Sequence, residues 1–184
     1  MKIDKKCAIT FGRFNYFSKG HAYFFEEILT KWDNLVIMCL ENSDIRRQII
    51  PTNDLLLNSF YKECDKNFIK KLLPVAIRME ALNYFAKKYP NRITIISGER
   101  PENFPSRFNM DFPANKFDLV FSKDYSNYFD LLRCEAFEKI LDREVTVVHP
   151  RRYIHNSEIA LLSNKEEKFW PEVWDYYQKE GILI

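Results

Sequence analysis

Apolar residues along this chain follow two rhythms. Five short runs are apolar with little interruption: Cys7–Phe11 (CAITF), Leu35–Leu40 (LVIMCL), Arg92–Ser97 (RITIIS), Phe117–Phe121 (FDLVF) and Glu144–Val148 (EVTVV). Runs of this length that do not alternate with polar residues predict strands covered on both faces, as in a parallel sheet. Between them the apolar positions recur at helical spacing. A first helix is expected over His21 to Trp32, with Phe24, Phe25, Ile28, Leu29 and Trp32 on its core side. Leu55 to Leu73, after the turn at Pro51-Thr52-Asn53-Asp54, turns Leu56, Phe60, Cys64 and Phe68 inward. Val75 to Lys88 buries Ile77, Ala81, Leu82 and Phe85, and Tyr128 to Leu141 buries Leu131, Leu132, Ala136 and Ile140. The chain becomes helical again from Asn156, and a last amphipathic helix, Glu172 to Glu180, stops at Gly181. Gly98 to Lys116, rich in proline, asparagine and charge, is expected to be a loop. Buried strands joined by helical crossovers predict an α/β fold: a doubly wound parallel five-stranded sheet, Rossmann-like, with a C-terminal helical segment.

Composition narrows the setting. At 184 residues and 46% hydrophobic, the chain is expected to be one domain spanning 1–184, with 43–73 as an inserted helical segment longer than a usual connection. A formal charge of +2 argues against a nucleic-acid or membrane-surface partner. No apolar run approaches the roughly 20 residues of a membrane span, and MKIDKK leads into a strand without a signal-peptide core. Cys7, Cys39, Cys64 and Cys134 form no CxxC pair, which predicts reduced, mostly buried thiols and a cytoplasmic setting. His149 and His155 lie at no metal-ligand spacing with a cysteine or with each other, so no protein metal site is expected.

The chemistry gathers in Cys7 to Ile28, CAITFGRFNYFSKGHAYFFEEI. A strand, a tight turn and a helix start offer backbone N–H groups and the positive end of the helix dipole to an anion. Arg13, Lys19 and His21 add side-chain donors, so polyphosphate is the natural guest. A plain strand–helix turn, with Gly12 needed for its backbone angles and His21 capping the helix, is the competing reading. Two of the chain's four glycines, Gly12 and Gly20, fall here.

Gly12 to His21, GRFNYFSKGH, resembles the signature G-x-F-x-P-x-H-x-G-H of the nucleotidylyltransferase superfamily. Its GRF opening is most similar to nicotinamide-nucleotide adenylyltransferases of archaeal type. Phe117 to Asp124 (FDLVFSKD), Tyr153 to Leu162 (YIHNSEIALL) and the tail WPEVWDYYQKEGILI resemble further stretches of that family. Ser18 stands at the signature's first histidine, and Ala160 at the arginine of the second signature. Arg46, Arg151 and Arg152 are candidates to replace that arginine, and Arg78 is a weaker match to a family helix-start arginine.

The resemblance implies adenylyl transfer from ATP to a phosphate acceptor, nicotinamide mononucleotide first, giving NAD and pyrophosphate. The magnesium ion would arrive on the nucleotide phosphates. It implies a catalytic group of His21, Ser18 and Arg13. Gly12, Phe14, Lys19, Gly20, Lys123, Asp124, His155, Asn156 and Ser157 would bind the nucleotide. Tyr16, Phe17, Phe104 and Phe108 are candidates to stack on a base. Relatives of this fold commonly assemble, which admits a homo-oligomer. Another acceptor, or a nucleotide-binding protein without turnover, stays open on the same residues.

Overall fold

The computed structural model describes residues 7–41, 53–66, 72–152 and 164–182. Five parallel strands form one sheet: β1 (Cys7–Gly12), β2 (Leu35–Leu40), β3 (Ile93–Gly98), β4 (Phe117–Ser122) and β5 (Val145–Val148), in the order β3-β2-β1-β4-β5. The helices are α1 (Lys19–Lys31), α2 (Leu55–Lys66), α3 (Val75–Ala86), α4 (Pro105–Asp111), α5 (Tyr128–Leu141) and α6 (Pro171–Lys179), with 3-10 turns at Pro101–Asn103 and Glu166–Lys168. β1 registers Gly12 against Cys39 of β2 and Ile9 against Leu119 of β4.

Because the strands carry apolar residues on both sides, the sheet is covered twice. One core joins α1, α3 and α6 around Phe17, Phe25, Ile28, Phe85 and Tyr177. The other joins α2, α4 and α5 around Phe11, Phe60, Phe121 and Phe137. Chain order reverses between β1 and β4, which makes their carboxyl ends the crevice where such sheets take ligands.

Several sequence expectations change: the helix expected over Leu55 to Leu73 is observed as Leu55–Lys66, with Leu72 and Leu73 outside any helix and Phe68 outside the described residues, and Leu131 and Ile140 of α5 are only partly buried. The stretch Gly98 to Lys116 carries a 3-10 turn and α4 rather than a plain loop, because Pro101 and Pro105 begin the two elements and Phe108 is buried in the core. α1 begins at Lys19, two residues before the expected start, since Ser18 and not a later residue caps it. Within α3 the buried face includes Arg78, wholly enclosed, while Ile77 is only partly covered. Arg92 donates to the carbonyls of Leu29, Trp32 and Asp33, so the residue just before β3 neutralises the C-terminal end of α1. The expected helix from Asn156 lies outside the described residues.

Candidate active site

At the end of β1 the chain turns sharply through Arg13 to Phe17. Phe14 takes a left-handed backbone (φ 44°), a conformation that costs a non-glycine residue about 1 kcal/mol or more. Its ring folds back over Gly12, where a Cβ would lie 3.0 Å from Phe14 Cζ. Gly12 is therefore required by close approach, and the unusual backbone angle expected of the glycine belongs to Phe14. The Phe14 ring meets His21 edge-on (5.4 Å between centroids), and Phe17 stacks on His21 at 5.8 Å.

His21 is held by its Nδ1, which accepts the Ser18 N–H at 3.1 Å; Ser18 Oγ lies 3.2 Å from the same nitrogen. An Nδ1 that accepts a proton donor leaves the proton of the neutral ring on Nε2. Capping, one of the two readings the sequence offers, thus uses Nδ1 and not Nε2. Ser18 is completely buried as the N-cap, so its role in this geometry is to orient His21. The His21 and Ala22 N–H groups both go to the Ser18 carbonyl (3.0 and 3.2 Å). The N–H groups of Lys19 and Gly20 have no acceptor within the helix and point from its positive end, beside His21.

Three side chains hold this turn from behind. Arg78 donates to the carbonyls of Arg13 (2.5 Å), Leu40 (2.7 Å), Glu41 (3.2 Å) and Leu73 (2.8 Å), tying the carboxyl ends of β1 and β2 to the start of α3. Asn15 Oδ1 accepts the Leu73 N–H at 2.7 Å. Tyr177 of α6 accepts the Phe17 N–H at 2.9 Å. None of these is legible from spacing alone; the one sequence signal was an arginine in the helix segment AIRME, on a face otherwise read as apolar.

The Arg13 guanidinium is largely buried on the α2–α5 side of the crevice. Burial first, and then the nearby Arg100 and Arg133, lower its pKa from the ordinary arginine value. Arg100 is paired with Glu102, whose side chain is wholly enclosed. Arg133 bridges Asp130 (3.2 Å) and the Ser122 carbonyl (2.7 Å) at the end of β4, its guanidinium over the Phe121 ring. The 3-10 turn that carries Glu102 packs on α5, which carries Arg133.

The remaining expected residues separate. Lys19 Nζ donates to the Glu167 carbonyl at 2.8 Å, away from the turn. Lys123 and Asp124 follow β4, the strand beside β1. Lys123 Nζ sits 5.6 Å from the Tyr125 ring, and Asp124 accepts from Ser126 to form a turn. Tyr125, exposed, stacks on exposed His149 at 5.5 Å, a pair the sequence did not suggest. Phe17 and Phe108 are core residues, whereas Tyr16 and Phe104 keep exposed surface. Arg151 pairs with Glu26 (3.0 Å) and lies over Tyr23 on the flank of α1. Arg46, His155, Asn156, Ser157 and Ala160 lie outside the described residues. Among the described residues no group of three or more His, Cys, Asp or Glu is placed to hold a metal ion, and no helix is long and apolar enough to cross a membrane.

No protein-family model matches the chain, and no curated protein matches it by sequence. Solved structures do share its fold. A protein assigned as a nicotinate-nucleotide adenylyltransferase from Vibrio parahaemolyticus superposes with a TM-score of 0.53 at 17% identity, over 93% of this chain and 97% of that one. The nicotinic acid mononucleotide adenylyltransferase of Plasmodium falciparum, complexed with NaAD, gives 0.54 at 12% identity, over 97% of both chains. At these identities the likeness establishes the architecture.

Proposed function

We propose that this chain transfers the adenylyl group of ATP to the phosphate of nicotinamide mononucleotide, releasing pyrophosphate and forming NAD. A phosphate oxygen of the acceptor attacks the α-phosphorus, and the bond to the β-phosphate oxygen breaks. No protein nucleophile is needed. The protein must align two phosphates and stabilise charge on the transferring and leaving groups.

The observation that carries the reading is the arrangement at the head of α1. His21 is fixed through Nδ1 with its Nε2–H as donor, at the start of α1, whose first N–H groups have no acceptor within the helix, just beyond the carboxyl end of β1. That set suits the phosphates of ATP, with magnesium arriving as part of the substrate. Lys123 and Asp124, on the neighbouring strand end, are proposed to line the base, and His155, Asn156 and Ser157 to meet the phosphates from the second signature. The two structural neighbours are named for the same transfer to a pyridine mononucleotide, which agrees with the signature resemblance.

A second reading of the acceptor has its own support. The two structural neighbours are named for nicotinate and nicotinic acid mononucleotide, which supports the carboxylate-bearing acceptor, nicotinate mononucleotide, over the neutral amide.

The test is direct: the purified chain is incubated with ATP, magnesium and either mononucleotide, and dinucleotide and pyrophosphate are quantified. Product with the amide acceptor supports the first reading, and a higher kcat/KM for the carboxylate the second. Clear ATP binding by calorimetry with no product from either would replace both by a nucleotide-binding protein without turnover.

A further inference from the structure

We propose that Tyr177 is a positioning residue for the nucleotide site: its phenolic oxygen, by accepting the buried Phe17 N–H, fixes the Tyr16–Phe17 peptide, which adjoins the Phe17–Ser18 peptide whose Ser18 N–H holds the His21 ring. The inference rests on the functional reading above, in that His21 is taken to meet phosphate.

The chain of contacts is short and continuous. Tyr177 OH accepts Phe17 N–H at 2.9 Å across 160 residues of sequence, and the next N–H along, that of Ser18, goes to His21 Nδ1 at 3.1 Å. Both Tyr177 and Phe17 are wholly buried, so no water stands in for either partner. A buried N–H without an acceptor is costly, and the backbone would rotate to find one. Rotation of the Tyr16–Phe17 peptide tilts the adjoining Phe17–Ser18 peptide and so moves the Ser18 N–H that fixes the histidine. The Tyr177 ring is itself confined: Phe169 meets it edge-on at 5.8 Å, Tyr16 at 6.3 Å, and α6 packs on α3. Burial pushes the phenol pKa upward, only partly offset by the Phe17 bond, so the hydroxyl stays neutral across the working range of pH. α6 therefore does more than cover the sheet. It delivers one oxygen to the turn in which phosphate binding is organised, while Arg78 ties the same turn from the strand side.

The experiment compares full-length wild type, Tyr177→Phe and Val173→Ala. Val173 lies on the same helix, is equally buried, and belongs to the same core without bonding to the turn. Tyr177→Phe is expected to lower kcat/KM for ATP about tenfold, as lost alignment does, with the acceptor KM within about twofold of wild type. In 15N NMR spectra, wild-type His21 is expected as the Nε2–H tautomer, and Tyr177→Phe as a mixture. Val173→Ala is expected to lose stability yet keep kcat/KM for ATP. The proposal is overturned if Tyr177→Phe leaves both the tautomer and kcat/KM for ATP unchanged, or if Val173→Ala lowers kcat/KM as much. Should Tyr177→Phe not fold, hydrogen exchange of the wild-type Phe17 amide decides. Core-like protection supports the bond, and exchange at the rate of an exposed loop overturns it. Should the chain show no transfer to any acceptor, ATP affinity by calorimetry and the His21 tautomer carry the same comparison, so the two failures are told apart.

Discussion

His21 holds the helix start through Nδ1 and is proposed to meet phosphate through Nε2, and substitution can separate the two. Asn at this position places its Oδ1 near Nδ1 and can still accept the Ser18 N–H, but it has nothing at Nε2. His21→Asn is therefore expected to stay within about 0.5 kcal/mol of wild-type stability while losing turnover at least about 100-fold, the scale of one transition-state donor. Urea denaturation and steady-state kinetics on the same preparation check both halves. His21→Ala removes both contacts and should add a capping loss of about 1 kcal/mol. Gly12 makes a different point at the same scale. A methyl group there meets the Phe14 ring at 3.0 Å, and Phe14 is already held at positive φ. Gly12→Ala should cost about 1–3 kcal/mol by overpacking and weaken ATP binding with it, read by thermal unfolding with and without ATP.

Elements meet the site through Arg78. Its guanidinium sits at no exposure among the carbonyls of Arg13, Leu40, Glu41 and Leu73, so α3 fixes the relative height of the β1 and β2 carboxyl ends. Arg78→Met keeps the length of the side chain and leaves buried carbonyls without donors. A loss of about 3 kcal/mol or more is expected from the denaturation midpoint. Arg78→Lys should recover little of it, because a single ammonium cannot reach in several directions as the planar fork does. The same scale explains the misread stretch between β3 and β4. Its composition is that of a loop, yet Pro101 and Pro105 are well placed at helix starts, and Phe108 gains a buried seat against Phe11 and Phe112.

At the scale of the molecule, burial gives stability a pH dependence. Desolvation raises the pKa of all four thiols, and pushes that of Cys64 up to about 12 from an ordinary 9.0. Between those values the unfolded chain has released protons that the folded chain keeps, so stability falls as pH rises above about 9. Cys64→Ala should flatten that slope in denaturation series between neutral and alkaline pH. The same burial makes Cys64 slow to alkylate at neutral pH, and mass spectrometry should find it modified quickly only after unfolding.

The sequence by itself determined the sheet and most of its helices. Unbroken apolar runs have to be buried on both faces, and only a parallel sheet flanked by crossover helices does that for runs this short. It also singled out Gly12 to His21 as the candidate site, because the resemblance lies in one contiguous stretch whose donors come from one local turn. What only the tertiary structure decided depends on contacts between distant residues: the strand order that puts β4 beside β1, the gathering of Arg13, Arg100 and Arg133, the burial of Arg78, and the reach of Tyr177 to Phe17. No periodicity encodes these, since a buried polar side chain finds its partner by where the backbone carries it and not by its spacing along the chain. The turn itself divides the same way: its residues were legible one by one, but that Phe14 bends, that Ser18 aims His21, and that a helix 160 residues away holds them was settled by packing.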